Sequence, residues 1–490
     1  MNILIAASEM VPFAQTGGLG DVIGSLPGAL AELGVKVSAI IPLYSQINRK
    51  KYGLLPYGRV RSVPIASRTE SYRLFKAAHG PVEVYFVDKP EYFDRDELYS
   101  SSPGHYPDEA ERFIFFSRVV AEFAAGKRPG LHVLHSHDWH TGIVPVYLAN
   151  LYQDKKGFKD IASVFTIHNM GYQGIFPKDA MQLTGLSWSV FNPEGLEFYN
   201  RLNLLKGGII FSDAVTAVSH RYAEEIQTGE FGYGLEGVVS HHKEKLFGIL
   251  NGADYEEWNP ASDRYLPVRF SPEKPDGKAV CKQALQTELG LKVDGKVPLI
   301  GMVGRLVEQK GIELLLESID RLVSLDLQLV ILGTGTEKVH QQLKEFCSSR
   351  LERCACVFRF ENRLSHLIEA GSDFFLMPSL YEPCGLNQIY SLKYGTVPIV
   401  RAVGGLEDTV IDVLENPARG NGFKFREYSP AALMETVGQA VTYYHQRKTD
   451  WKKIMANAFS ADFSWTLSAR RYLEVYNWAY QKKTGKKADS

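Results

Sequence analysis

Phe374-Phe-Leu-Met-Pro-Ser-Leu-Tyr-Glu-Pro-Cys-Gly-Leu-Asn-Gln388 changes character within a few residues. The apolar run Phe374–Pro378 reads as a buried strand. Glu382 to Gln388 then supplies a carboxylate, a proline-stiffened turn, a thiol, a glycine and two amides. Buried strands that end in polar residues ahead of a helix belong to parallel α/β sheets, which hold ligands at the carboxyl ends of their strands. Glu382 is therefore expected in a crevice, beside helix-start N–H groups that favour an anion.

The same pattern recurs along the chain. In the first half, β-rich runs are expected at residues 3–7, 37–41, 82–87, 132–135, 163–167, 214–218 and 247–250. The second half repeats them at 299–303, 327–332, 356–360, 374–377 and 397–400. Strands alternating with helical patterns imply parallel sheets covered on both faces, and two such series imply two doubly wound domains. A chain of 490 residues is also too long for one ordinary core. The expected divisions are a first domain over residues 1–250, a hinge over 251–278, a second domain over 279–460, and a final helix with a polar tail over 461–490. The helical stripe Trp465, Leu467, Arg471, Tyr472, Val475, Tyr476, Ala479 supports that last helix.

Bulk composition excludes several classes. Lys+Arg 55 against Asp+Glu 56 leaves a formal charge of -1, which argues against electrostatic capture by nucleic acid or an anionic membrane. The five cysteines are odd in number and lack CxxC spacing, so no disulfide framework is expected and a reducing cytoplasm fits best. Cys354-x-Cys356 reads as buried thiols in a strand. Met1–Ala7 reads as a first strand in place of a signal peptide, and no apolar stretch reaches the roughly 20 residues of a membrane helix.

The polar clusters fall at strand ends, which points to a cleft between the domains. Thr16-Gly-Gly-Leu-Gly-Asp21 precedes a helical pattern. It reads equally as a backbone cradle for a pyrophosphate or as an ordinary glycine turn. Arg305 and Lys310 follow the strand at 299–303; paired cations there can hold a diphosphate, and the bland alternative is a solvated surface pair. His135-x-His137-Asp138-x-His140 resembles a zinc ligand set, yet no convincing partner cluster follows it, His241-His242 lying in a charged helical context. His168-Asn169 is a site candidate or a hydrogen-bonded core histidine. Asp94-x-Asp96 lacks a preceding strand, residues 290–297 lack the hydroxyl of a P-loop, and Gly333-x-Gly335 lacks the third glycine of a dinucleotide fingerprint.

Together these segments resemble the bacterial glycogen synthases and plant starch synthases. The resemblance runs from Ile3 to about Tyr476. Its further pieces are Phe165–Gly174, Glu197-Phe-Tyr-Asn200, Leu205–Gly208, Glu230–Gly237, Asn251–Asp254 and Gly404-Gly405-Leu406. It implies a retaining glucosyltransferase of the GT-B fold, two Rossmann-like domains with an interdomain cleft. The implied reaction moves glucose from a nucleotide donor, ADP-glucose first and UDP-glucose second, to the 4-hydroxyl at the end of an α-1,4-glucan.

The resemblance gives Arg305 and Lys310 the departing diphosphate, Glu382 the donor glucose, and Asp138 and His168 places in the same site. Gly17, Gly18 and Asp21 would face the phosphates, and Asn251, Phe360, Cys384, Gly385 and Leu386 would line the donor pocket. No metal and no cofactor are implied. Two positions depart from the family pattern. Gln15 stands where lysine usually opens the glycine loop, and Arg359-Phe360 replaces a Gly-Tyr pair near the nucleobase. Phe360 can still stack on a base without the phenolic hydrogen bond. A non-catalytic glucan-binding protein and a zinc hydrolase are the remaining rivals.

Overall fold

The computed structural model describes residues 1–101, 104–126, 130–155 and 158–487. Residues 488–490 of the polar tail therefore lie outside the described residues. The chain divides into two compact units, Met1–Gly252 with Trp465–Ser490, and Ala253–Ser464.

The first unit is built on a ten-stranded sheet. Its strands are β1 (Asn2–Ala6), β2 (Lys36–Pro42), β3 (Leu55–Pro56), β4 (Arg61–Ile65), β5 (Arg68–His79), β6 (Val82–Asp88), β7 (Val133–His137), β8 (Ala162–Ile167), β9 (Ala214–Ala217) and β10 (Leu246–Gly248). Their order is β10-β9-β8-β7-β1-β2-β6-β5-β3, with β4 paired to β5. The run from β10 to β6 is parallel, and β1 aligns Ile5 with His135 of β7. Ile3, Leu4, Ile5 and Ala6 are fully buried, as a strand covered on both faces requires. The antiparallel addition β3–β5 was not legible as a sheet edge. Its exposed and buried residues alternate, so a short reading window sees no continuous apolar run.

The second unit carries a six-stranded parallel sheet in the order β13-β12-β11-β14-β15-β16. These strands are β11 (Leu299–Val303), β12 (Gln328–Leu332), β13 (Cys354–Val357), β14 (Phe374–Met377), β15 (Val397–Arg401) and β16 (Phe423–Phe425). The strand expected at 356–360 is displaced: pairing with β12 runs from Cys354 to Val357, which leaves Phe360 in the following loop.

Both sheets have a topological switch point, where successive strands leave in opposite directions. In the first unit it lies between β1 and β7; in the second it lies between β11 and β14. Open α/β sheets bind ligands at such points, because the loops diverge there and leave a crevice.

The helices that matter are α1 (Gly18–Glu32), α2 (Ile312–Val323), α3 (Glu337–Ser348), α4 (Asn387–Lys393), α5 (Gly404–Thr409) and α6 (Trp465–Thr484). Helix α1 buries Leu19, Val22, Ile23, Leu26 and Leu30, the spacing of one helical face. Helix α6 belongs to the first unit, where it buries Trp465, Tyr472, Val475, Tyr476 and Ala479. The Tyr476 hydroxyl lies 2.8 Å from Nδ1 of His135 on β7. Leu467 and Arg471, expected on the buried stripe, are exposed. Residues 253–278 pack with the second unit. There Trp258 stacks between His366 at 3.8 Å and Tyr390 at 4.1 Å.

Candidate active site

At the first unit's switch point, β1 delivers Ser8 and Glu9, both buried. The Glu9 carboxylate accepts hydrogen bonds from the Thr16 N–H at 2.6 Å, the Thr16 hydroxyl at 2.7 Å and the Gly17 N–H at 3.2 Å. Tyr99 donates to the same carboxylate at 2.6 Å. Glu9 thereby pins the glycine loop at its outer end. Gly17 caps α1 without any side-chain hydrogen bond, and the space beside Gly17 and Gly18 is open. That leaves exposed main chain at the positive end of a four-turn helix, a site suited to an anion. Gln15 turns its amide onto the Asp21 carboxylate at 2.9 Å. The sequence pattern around Glu9, a lone acid after the first strand, carries no signal of this role.

Strand β7 delivers His135, His137 and Asp138. Asp138 has φ of 54°, a left-handed conformation unusual for a residue with a side chain. Its N–H donates to the Thr166 carbonyl of the neighbouring strand at 2.9 Å, and its Oδ1 accepts the His168 N–H at 2.7 Å. The strained turn therefore locks Asp138 to His168. Burial pushes the Asp138 carboxyl up to about 7, against the lowering effect of the His168 and Asn169 N–H groups. Burial likewise holds His135 and His168 down to about 3. His137 Nδ1 lies 2.9 Å from His168 Nε2, a contact that sequence spacing did not reveal.

The histidines do not converge on a common point. His135 is engaged at both ring nitrogens, by Tyr476 and by Thr166 at 2.6 Å. His140 instead stacks on Trp139 at 4.0 Å and sits against Tyr99 and Phe113. The zinc-hydrolase arrangement is thus not formed by this trio. Asn251 is buried nearby in sequence to the unit's end, and its Oδ1 has no hydrogen-bond partner among the described residues.

In the second unit, the switch point brings Glu382 and Lys310 together. Lys310 Nζ donates to both carboxylate oxygens of Glu382, at 2.9 and 2.6 Å. Ser379 donates to Oε2 at 3.1 Å, and Glu382 is buried while Lys310 remains partly accessible. Asn387, at the start of α4, donates to the Val303 carbonyl at 2.7 Å and so joins the ends of β14 and β11. Arg305 is exposed, with one hydrogen bond to Gln309 at 3.3 Å and no ion pair among the described residues.

The Glu382 loop is held from behind by α5. The Gly405 N–H donates to the Glu382 carbonyl at 3.1 Å. Gly404 has φ of 46°, and a Cβ there would lie 1.9 Å from that carbonyl oxygen. Gln388 is fully buried and donates to the carbonyls of Cys384 at 3.0 Å and Gly385 at 3.1 Å. Cys384 is buried, Gly385 takes φ of 72°, and Leu386 stands at the start of α4. Phe360, in the loop after β13, is 85% exposed beside the Arg359–Glu361 ion pair.

Residues 2–241 match the family described as the starch synthase catalytic domain, and residues 290–454 match glycosyl transferases group 1. A glycogen synthase of Pseudothermotoga lettingae is 45% identical over 99% of this chain and 100% of its own length. This chain belongs to the glycogen and starch synthase family. A glycogen synthase of Koribacter versatilis is 46% identical over 98% of the chain and 99% of its own. The family fold is seen in the catalytic domain of starch synthase IV from Arabidopsis thaliana bound to ADP and acarbose. That structure has a TM-score of 0.90 at 33% identity, covering 98% of this chain and 99% of its own. Sucrose-phosphate synthase from Thermosynechococcus elongatus, at 18% identity and a TM-score of 0.61 over 98% of this chain and 99% of its own, shares the fold. The protein is a glycosyltransferase of the GT-B fold with glycogen or starch synthase function, and its substrates are a nucleotide-sugar donor and a glucan acceptor. Among the described residues, no helix is long and apolar enough to cross a membrane.

Proposed function

We propose that this synthase transfers glucose from ADP-glucose to the non-reducing 4-hydroxyl of an α-1,4-glucan, with retention of configuration, in the cytoplasm. The observation that carries the residue assignment is the Lys310–Glu382 pair at the second unit's switch point. It presents a cation and an acceptor side by side, which a sugar attached to a diphosphate needs. Arg305, exposed and without an ion pair among the described residues, is the second phosphate ligand. The starch synthase IV structure, described as bound to ADP and acarbose, supports an adenine donor.

The roles follow from chemistry. Lys310 and Arg305 neutralise the departing diphosphate, and Glu382 orients the donor glucose. The open N–H groups at Gly17 and Gly18 face phosphate oxygens, with Asp21 and Gln15 at their edge. Phe360 stacks on the base, and Asn251 with the Cys384–Leu386 main chain lines the donor pocket. Asp138 and His168 position the reacting sugar.

No candidate carboxylate is free to act as a covalent nucleophile. Glu382 is tied to Lys310 and Ser379, while Asp138 is buried and bonded to main-chain N–H groups. The reaction therefore runs through an oxocarbenium-like state on the donor face, with the leaving diphosphate oxygen taking the acceptor proton. A side-by-side assay of labelled glucose transfer into glycogen from ADP-glucose and UDP-glucose tests it. Higher kcat/KM with ADP-glucose is expected. Preference for UDP-glucose overturns the donor assignment, and absence of transfer from either overturns the reading.

A further inference from the structure

A second chemical site lies away from the Glu382 crevice, on the edge strand β13. Cys354 and Cys356 are two residues apart on this strand, so their side chains leave the same face. Cys347 sits in the last turn of α3. The short link between them closes tightly, with the Cys354 N–H donating to the Arg350 carbonyl at 2.9 Å. The helix end thereby sets Cys347 over the strand pair. All three Sγ atoms lie within 4.8 Å of one another, and those of Cys347 and Cys356 are 3.1 Å apart. No other group of three or more His, Cys, Asp or Glu residues among the described residues is arranged to hold a cation.

We propose that Cys347, Cys354 and Cys356 form a three-thiolate binding site for a soft closed-shell metal ion such as Zn²⁺, with an exogenous molecule as the fourth ligand. Zinc–thiolate bonds of about 2.3 Å place tetrahedral sulfur atoms about 3.8 Å apart. One edge of the triangle measures 3.1 Å and none exceeds 4.8 Å, so small side-chain rotations bring the three sulfurs onto one ion. A disulfide needs only two sulfurs and gives no reason for a third to approach both. Cys354 with Cys356 is also poorly disposed for one, because residues two apart on a strand hold their Cα atoms at about 6.6 Å, the far end of the disulfide range.

The surroundings suit a metal thiolate. Cys347 and Cys354 are buried, whereas Cys356 keeps partial access to solvent, which gives an ion a way in. The site borders the second unit's core, beside Leu343 and Phe346, and a dry wall strengthens metal–thiolate bonding. Three thiolates with one divalent ion carry one net negative charge. The site is separate from the residues assigned to glucosyl transfer, and the histidines play no part in it.

The test uses the full-length protein, fully reduced and freed of metal, titrated with Co²⁺ and then Zn²⁺. One Co²⁺ per chain is expected to produce a thiolate-to-cobalt charge-transfer band that Zn²⁺ removes. Cys356→Ser is expected to weaken Co²⁺ binding at least about 100-fold, the upper end of what loss of mere outer-shell support costs. Alkylation of wild-type protein read by mass spectrometry needs no variant. Zn²⁺ is expected to protect Cys347, Cys354 and Cys356 while leaving the labelling of Cys281 and Cys384 unchanged. Absence of the cobalt band, a band that survives in Cys356→Ser, or protection that misses this trio overturns the proposal.

Discussion

Lys310 and Glu382, 72 positions apart in sequence, meet as a two-pronged ion pair, with Nζ 2.9 Å from Oε1 and 2.6 Å from Oε2. The pair closes the switch point between β11 and β14 and leaves part of the ammonium accessible. In the proposed reaction Lys310 has two partners to serve, the buried carboxylate and an incoming diphosphate. Lys310→Ala is expected to lower kcat by about 100-fold or more, as loss of a preorganised charge stabiliser does. It should also cost about 1–3 kcal/mol of stability by leaving Glu382 buried without its counter-ion. Adding Glu382→Gln should restore part of the melting temperature and none of the turnover. Wild-type kcat in Lys310→Ala would remove the assigned role.

Gln15 already points its amide at Asp21, beside the open main chain of Gly17 and Gly18. Gln15→Lys places a cation at the same spot. Since the position is exposed, the gain is limited to about 0.5–1 kcal/mol, a two- to fivefold lower KM for the donor that shrinks with added salt. An unchanged KM would show that position 15 does not reach the phosphates.

Gly404 is the point where α5 supports the Glu382 loop. Gly404→Ala combines a left-handed backbone, costing about 1–2 kcal/mol, with a Cβ 1.9 Å from the Glu382 carbonyl. Denaturant unfolding should show a loss of at least that size, with transferase activity falling alongside. Gly438→Ala is the control: its Cβ meets nothing within 4 Å on a helix, so stability should rise by up to about 1 kcal/mol.

The buried histidines fix the direction of the pH response. His135 and His168 are held down to about 3, and burial also holds His137 and His140 well below the ordinary value. Their stabilisation is complete above about 6.5 and is lost as the pH falls towards 3, because the unfolded chain takes up protons that the folded one refuses. Asp138, raised to about 7, works oppositely, favouring the fold below about 4 and losing that contribution as the pH rises through 7. Glu369, raised by burial to about 8, acts in the same direction as Asp138, and the four histidines outweigh these two carboxyls. The unfolding free energy should fall from pH 6.5 to 4, by about 1.4 kcal/mol per pH unit for each extra proton bound on unfolding. A flat profile over that interval would contradict the burial of these rings.

Much of the site was legible because strands in parallel sheets announce themselves. Leu299–Val303 and Phe374–Met377 are continuous apolar runs, and the polar residues after them had to lie at the carboxyl ends. Partners were not legible. The Glu9 carboxylate looks like any strand-end acid until the Thr16 and Gly17 N–H groups turn onto it. The Tyr476 contact with His135 spans 341 positions, and no local pattern encodes it. Cys347 stands seven and nine positions from its partner thiols, outside the spacing by which metal sites are usually recognised.

The sequence alone determined the alternation of buried strands and helices, and with it the doubly wound architecture and the end of each strand where chemistry belongs. Hydrophobic periodicity is a local property, so residues near one another in the chain suffice to reveal it. Tertiary structure alone decided which strands are neighbours. That order places the two switch points, sets Lys310 against Glu382, locks Asp138 to His168, and gathers three thiols at one edge. Such contacts arise from how sheets close over long stretches of chain, and the energy that selects them comes from packing summed over the whole core.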